Sequence, residues 1–86
     1  MFEYRWLETT LDELANLYVA ADRPEWERMA AGVERLNARL AADPLDVGES
    51  RGGGYRVAFL PLLMVSFHVD EVNRIVRVTA VSRYGR

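Results

Sequence analysis

The stretch that decides the fold is residues 55–82, which read YRVAFLPLLMVSFHVDEVNRIVRVTAVS. Apolar and polar residues alternate through most of it, which is the period of a half-buried β-strand. Pro61 and the polar run at residues 70–73 interrupt the alternation as turns do. We therefore predict three strands, with bounds Tyr55 to Leu60, Leu63 to Val69, and Arg74 or Ile75 to about Ser82. Short connections predict an antiparallel meander.

The alternation sorts these residues onto two predicted faces. The first face is apolar and needs a cover; it holds Val57, Phe59, Val65, Phe67, Val69, Val76, Val78 and Ala80. The second face holds Arg56, Ser66, His68, Arg77, Thr79 and Arg83, with Ala58, Met64, Ile75 and Val81 among them. We expect this second face to be an uncovered basic surface with one imidazole.

A strand and a helix precede this meander. Residues 2–6 alternate apolar and charged, which predicts a first strand. Thr10 and Glu13 have the spacing of a capping box and predict the start of a helix there. Its apolar positions recur at helical spacing to about Ala21.

A second helix is predicted to begin at once, because Asp22 and Glu25 form another capping pattern. Its apolar stripe, expected to be core, is Trp26, Met29, Val33, Leu36 and Leu40. Gly32 lies in the middle of the helix and is expected to mark close packing against another element. Asp43 before Pro44 ends the helix, because a residue before proline disfavours helical backbone.

Residues 44–54 are predicted to be a loop that ends in Gly52-Gly53-Gly54, interpreted as a flexible hinge rather than a phosphate-binding loop. The predicted fold is therefore α+β, with order β-α-α-β-β-β. A helical hairpin packs on one face of a four-stranded, largely antiparallel sheet, and residues 1–86 form one domain.

Composition narrows the class of protein. The chain has 86 residues, no cysteine and one histidine, which excludes disulfides and thiolate chemistry and leaves too few imidazoles for a histidine-based metal site. We expect no cofactor and no metal. No apolar run is long enough to span a membrane, so we expect a cytoplasmic protein. Residues 1–50 hold 11 acids and five arginines, whereas residues 51–86 hold two acids and six arginines, so the two halves can face different partners.

The candidate functional residues lie mainly in the basic half. Guanidinium groups suit phosphates and carboxylates, so the predicted binding residues are Arg51, Arg56, His68, Arg77 and Arg83. His68 suits general acid–base catalysis, although an inert strand histidine is the plainer interpretation. Glu49 is a candidate base or an ion partner of Arg51. Tyr84 is a candidate proton donor, a stacking platform, or a ring folded onto the core.

Over essentially its whole length the chain resembles the RelE/ParE superfamily of bacterial type II toxins. The resemblance rests on an aromatic first strand, a helical hairpin that ends at residues 40–44, and the loop at residues 48–51. An arginine that opens a strand (Arg56), a valine-rich last strand and the tail at residues 81–84 complete it.

The resemblance implies a growth-inhibiting toxin, of the kind linked to plasmid stabilisation, that a cognate antitoxin wraps and blocks. It implies either mRNA cleavage on the ribosome or poisoning of DNA gyrase. Arg56 matches the strand arginine of the nuclease branches, Arg83 falls near the arginine of their last strand, and Glu49 is a looser match to a general base. If the chain is a nuclease, Tyr84, Glu49 or His68 would handle protons.

Two departures keep the mechanism open. Gly85-Arg86 follows Arg83-Tyr84 where one nuclease branch has a His-Tyr pair, and the loop lysines of another are absent. Whether the chain is an enzyme is therefore left open. A non-catalytic binding module, or a degenerate toxin that receives a partner peptide on its sheet face or edge, is the alternative.

Overall fold

The computed structural model describes residues 1–85, and Arg86 of the predicted tail lies outside the described residues. The elements are β1 (Glu3–Trp6), α1 (Glu8–Ala20), α2 (Arg23–Ala42), a single 3₁₀ turn (Pro44–Asp46), β2 (Glu49–Gly52), β3 (Tyr55–Leu60), β4 (Leu63–Asp70) and β5 (Ile75–Arg83). The order β1-β5-β4-β3-β2 describes one sheet, parallel between β1 and β5 and antiparallel elsewhere. The α+β class and the packing of a helical hairpin on a sheet are confirmed.

The sheet has five strands rather than four, because residues 49–52 of the predicted loop pair with β3. All four residues of β2 are exposed, so no hydrophobic alternation marks the strand in the sequence. Gly53 and Gly54 both have positive φ, at 61° and 84°, which is the geometry of a two-residue hairpin turn. The predicted flexible hinge is therefore an ordered turn.

The start of α1 differs from the prediction. Leu7 stands at the N-cap with no side-chain cap, because its amide donates to the carbonyl of Val78 (3.1 Å) and continues the pairing of β1. Thr10 lies inside the helix, fully buried, and its hydroxyl has no hydrogen-bond partner among residues 1–85. The capping box at Thr10 and Glu13 is therefore wrong.

The start of α2 agrees with the prediction. The side chain of Asp22 accepts from the Glu25 amide at 2.9 Å, and the Glu25 side chain accepts from the Asp22 amide at 3.3 Å. Gly32 packs against the β3–β4 turn, since a Cβ there would lie 3.0 Å from Cδ of Pro61. Met29 is fully buried as predicted, but Trp26 is 43% exposed and is stacked edge-on against Tyr18, so its assignment to the core is wrong.

The core lies between the hairpin and one face of the sheet. Its largest fully buried side chains include Phe67, Met29, Leu40 and Leu63. No helix within residues 1–85 is long and apolar enough to cross a membrane.

Candidate functional site

Pairing registers define the two faces of the sheet. Residues that pair across strands share a face, and the helix-covered face holds Arg56, Ala58, Leu60, Leu63, Val65, Phe67, Val69, Val76, Val78, Val81 and Arg83. The open face holds Glu49, Tyr55, Val57, Phe59, Met64, Ser66, His68, Asp70, Ile75, Arg77, Ala80 and Ser82, with Glu3 and Arg5 of β1. The predicted faces are therefore inverted for β3 and for the end of β5.

The inversion in β3 follows from the hairpin that joins it to β4. Leu60 pairs with Leu63 across the two-residue turn of Pro61 and Leu62, so these paired residues point the same way. Since Leu63 is buried, Ala58 faces the helices and Phe59 does not. The assignment of Val57 and Phe59 to the covered face, and of Ala58 to the open one, is wrong.

A β-bulge causes the second inversion. Ser66 pairs with Ala80 and Phe67 with Val78, so Thr79 is the extra residue on β5. One extra residue reverses the alternation beyond it. The assignment of Ala80 to the covered face, and of Val81 and Arg83 to the open face, is therefore wrong.

Arg56 lies on the helix-covered face, where it holds the connection that leads into β2. Its Nε donates to the carbonyl of Val47 at 2.7 Å, and its second terminal nitrogen donates to the carbonyl of Gly48 at 3.1 Å. The guanidinium thus neutralises no carboxylate among residues 1–85 and satisfies backbone acceptors in a part-buried place. Its predicted place on the open face is wrong, and this contact is structural.

Arg83 turns toward the start of α2. Its terminal nitrogen donates to Oε2 of Glu25 at 2.7 Å. The Arg83 hydrogen bond, followed by the bond with the Asp22 backbone, lowers the pKa of the Glu25 carboxyl below its usual value. The same pairing raises the pKa of Arg83. The last strand is thereby tied to the capping box of α2.

The arginines on or beside the open face are paired with acids. Arg5 contacts Glu3 at 2.7 Å, Arg51 contacts Glu49 at 3.0 Å, and Arg77 contacts Asp70 at 3.7 Å. Hydrogen bonds from Asn73, more than the Arg77 charge, lower the pKa of Asp70. The expected basic surface is therefore wrong: the open face carries cations and anions together.

His68 keeps its predicted place on the open face, paired with Arg77 on β5 and Tyr55 on β3. Its Nε2 lies 3.2 Å from the carbonyl oxygen of Gly53, and the Tyr55 ring meets it edge-on with centroids 4.7 Å apart. The imidazole thus packs against the glycine turn, since a Cβ on Gly54 would lie 2.9 Å from Nε2.

Exposed aromatic rings follow β3 along the open face; we call Tyr55, Phe59 and Tyr84 the aromatic row. The rings are 51%, 45% and 53% exposed, and Phe59 and Tyr84 contact each other with centroids 4.8 Å apart. The sequence interpretation missed Tyr55 and Phe59 as site residues. The two-residue spacing of Pro61 and Leu62 was the available signal, because it fixes which residues of β3 share a face with Leu63.

The four predicted catalytic residues do not share one surface. Glu49 pairs with Val57 on the open face, and Tyr84 contacts Phe59 there. Arg56 and Arg83 lie on the other face and are engaged by carbonyls and by Glu25. Within residues 1–85, no group of three or more His, Asp or Glu side chains is placed to hold a metal ion.

Comparison with solved structures finds chains of the same architecture. A chain of the chromosomal ParDE toxin–antitoxin system from P. aeruginosa matches with TM-score 0.71 and 15% identity, over 99% of this chain and 98% of that one. A chain of the RelBE2 toxin–antitoxin complex from Mycobacterium tuberculosis matches with TM-score 0.72 and 22% identity, over 96% and 98%. The isolated E. coli RelE toxin matches with TM-score 0.67 and 16% identity, over 100% and 87%.

Comparison with protein-family models and with curated protein sequences finds no match. The molecule is thus a small α+β domain with a helical hairpin on one face of its sheet and an aromatic, charge-balanced surface on the other. Its fold is that of the RelE/ParE toxins, which confirms the resemblance at the level of structure.

Proposed function

We propose that the chain is the toxin of a type II toxin–antitoxin system, acts in the cytoplasm, and is neutralised by a cognate antitoxin. The proposal is supported by similarity across nearly the whole length to chains from ParDE and RelBE systems. Those structures come from toxin–antitoxin systems, and the same fold with the same extent favours the same role here.

Inhibition of a protein target, with DNA gyrase as the target that the family resemblance implies, is the favoured mechanism. The observation that carries it is the character of the open face. Its arginines are paired with carboxylates, while Tyr55, Phe59 and Tyr84 are about half exposed. Exposed aromatic side chains are typical anchors of protein interfaces, whereas phosphate chains bind best to unpaired cations.

Cleavage of mRNA is the second candidate. One observation favours it: His68 and Arg77 pair across β4 and β5 on the open face, which places an imidazole beside a guanidinium. An imidazole can transfer protons near neutral pH. The predicted catalytic pair Arg56 and Arg83 does not contribute to that arrangement, because both lie on the other face.

The first test is inducible expression in a bacterial host, with and without the gene encoded beside this one. We expect growth arrest that the neighbouring gene product relieves. Normal growth at verified protein levels would contradict the proposed toxin role. It would favour the alternative of a non-catalytic binding module. That alternative predicts that the purified chain still binds the neighbouring gene product.

The second test separates the mechanisms with purified protein. We expect gyrase-mediated DNA cleavage, and at least a tenfold loss of it for Phe59→Ala with Tyr84→Ala, since interface anchors carry most of the binding energy. Tyr4→Ala is the matched control, because Tyr4 is an exposed aromatic residue on β1 away from the aromatic row.

Three results together would select the second candidate instead: the protein cleaves mRNA on translating ribosomes, His68→Ala abolishes that cleavage, and the protein leaves gyrase activity intact. Loss of that cleavage in Arg56→Ala with Arg83→Ala, in folded protein, would restore the catalytic pair implied by the family resemblance.

A further inference from the structure

The two outer strands of the sheet, β1 and β2, carry the same short charge pattern. Within residues 1–85 each of them has a strand on one side only. β1 contains Glu3-Tyr4-Arg5, and β2 contains Glu49-Ser50-Arg51. In each strand the carboxylate pairs with the guanidinium two residues further on, at 2.7 Å in β1 and 3.0 Å in β2. All four charged side chains are exposed, so they can also meet charges of another molecule.

The main chain of β1 has hydrogen-bonding groups available on its outer side. The amides of Glu3 and Leu7 donate to the carbonyls of Arg74 and Val78 at 2.9 Å and 3.1 Å, so these two residues turn toward β5. Successive residues of a strand turn their N–H and C=O to opposite sides, and Tyr4 therefore turns both groups outward. No other strand or loop within residues 1–85 pairs with the backbone of Tyr4. An added strand can bond there.

The edge at β2 has a different shape. Its register with β3 shifts between Ser50 and Gly52, and the Ser50 hydroxyl accepts from the Gly52 amide at 3.3 Å. A bulge of this kind twists an edge away from neighbouring chains. By contrast, β1 pairs with β5 over four residues without a shift. β1 is therefore the edge that suits a further straight strand.

The charge pattern of β1 is complementary to itself. In an antiparallel pair with Tyr4 opposite Tyr4 of a second copy, Glu3 of each copy lies opposite Arg5 of the other. Opposite charges that face each other across an antiparallel pair stabilise it, and like charges destabilise it. A register centred on Arg5 would instead set two guanidiniums against each other. The charges thus favour a second copy of this chain and select one register.

We propose that two copies of this chain associate through β1 in an antiparallel pair centred on Tyr4. The two Tyr4 residues exchange N–H to O=C hydrogen bonds, and Glu3 of each copy pairs with Arg5 of the other. The two five-stranded sheets join into one, and both open faces lie on the same side, because residues opposite each other share a face. Such a two-fold contact uses the same patch on both copies and closes at a dimer. The inference does not depend on the toxin role.

The contact is short, because the Phe2 amide already donates to the carbonyl of Ala41 in α2 at 2.9 Å. A short edge with exposed ion pairs supports a weak dimer. The first experiment is therefore sedimentation equilibrium of the purified full chain at low salt, with concentrations up to about 1 mM. We expect a monomer–dimer equilibrium that weakens as salt is added. A monomer at every concentration would overturn the proposal.

The second experiment exchanges the charges. Arg5→Glu sets acids opposite acids, and Glu3→Arg sets bases opposite bases, so each should weaken the dimer about tenfold or more. The double variant Glu3→Arg with Arg5→Glu restores opposite charges and should dimerise as the parent does. Arg51→Glu is the matched control, because Arg51 has the same place in the pattern of β2. An equal loss in Arg51→Glu, or no loss in Arg5→Glu, would overturn the proposal.

A mixture of the two single variants gives an independent check of the register. Circular dichroism first verifies that each variant is folded. The mixture should then form a dimer of one copy of each, because the acids of one copy face the bases of the other. Absence of that mixed dimer between folded variants would overturn the proposed register, and with it the proposal.

Amide hydrogen exchange of the isotope-labelled full chain locates the contact. The Tyr4 amide should exchange more slowly as the protein concentration rises, since dimerisation gives it a hydrogen-bond acceptor. The Ser50 amide, at the centre of the corresponding pattern of β2, should exchange at a constant rate. Concentration-dependent protection at Ser50 or in the aromatic row, with none at Tyr4, would overturn the proposal.

Discussion

Phe67 and Phe59 lie on neighbouring strands of one sheet, yet Phe67 is fully buried under the helices and Phe59 is 45% exposed. The helix-covered face uses its rings and aliphatic side chains to exclude water. The open face belongs to the same strands, but within residues 1–85 no helix packs on it, and it presents aromatic rings beside paired charges. The comparison teaches that the pairing register, rather than the hydrophobicity of the side chain, decides that Phe59 lies on the open face.

The two faces also treat arginine differently. Arg56 and Arg83 on the helix-covered side hold carbonyls and Glu25 in place, so they serve the fold. Arg5 and Arg77 on the open side are balanced by acids. Arg35 and Arg39 of α2 are exposed and form no ion pair within residues 1–85. Residue type alone therefore did not reveal which arginines are available to a partner.

The largest expected effect tests the comparison directly. Phe67→Ala should cost about 3–5 kcal/mol of unfolding free energy, because it opens a cavity in the core. A domain of this size holds only about that much stability, so the variant should be unfolded at 25 °C. Phe59→Ala should cost less than about 1 kcal/mol. Urea unfolding followed by circular dichroism measures both, and equal losses would break the distinction between the faces.

A glycine on the helix-covered side should give the next largest effect. Gly48 has φ of +66°, and a Cβ there would lie 2.1 Å from the carbonyl oxygen of Val57. Gly48→Ala should therefore destabilise by about 2–3 kcal/mol, from backbone strain and overlap together. Gly52→Ala is the control, since it shares a positive φ but meets nothing within 4 Å; about 1 kcal/mol is expected there. Similar losses at both sites would show that strain alone operates.

A stabilising change should follow at Thr10, the buried residue whose hydroxyl has no partner among residues 1–85. Thr10→Val removes that hydroxyl at nearly constant volume, and relief of an unsatisfied buried group should raise the unfolding free energy by about 1 kcal/mol. Thermal unfolding measures the shift. Thr9→Val, at an exposed neighbour, should leave stability nearly unchanged, and a loss of stability in Thr10→Val would indicate a hydrogen bond that the hydroxyl makes.

The smallest effect concerns the exposed pair of Glu25 and Arg83. Because the folded-state pKa of Glu25 lies below its usual value of 4.5, its contribution is present above that pH and is lost as the pH falls through the lower folded-state pKa. Glu25→Gln and Arg83→Ala should therefore each reduce the loss of stability that occurs as the pH falls below 4.5.

Urea unfolding at several pH values measures this dependence. Glu34→Gln is the control, because Glu34 makes no hydrogen bond or ion pair of its side chain within residues 1–85. If the unfolding free energy falls with acid pH as steeply in Glu25→Gln and in Arg83→Ala as in the parent, the pair does not couple β5 to α2.

Local signals predicted most of the fold. These signals act within a few residues and can therefore be recognised in the sequence alone. They are the helical stripes of period 3.6, the cap at Asp22 and Glu25, and the breaks at Pro61 and at residues 70–73. The strand at residues 49–52 had no such signal, since only its backbone pairs with β3. The early start of α1 also escaped, because the pairing of β1 with β5 sets it.

The candidate site was predicted less well, and the reason is geometric. His68 and Arg77 were placed on the correct face because no irregularity separates them in register. Phe59, Arg56 and Arg83 were not, because a two-residue turn and a bulge at Thr79 set which way they point. The functional roles of these residues stay predictions.

The sequence by itself determined the order of the elements other than β2, the α+β class and the apolar content of the core, since these depend on period and composition along the chain. Only the tertiary structure decided the faces of the sheet and the pairing of the arginines. Those features depend on which residues of distant strands and helices meet, and a one-residue change of register reverses them without any change in local propensity.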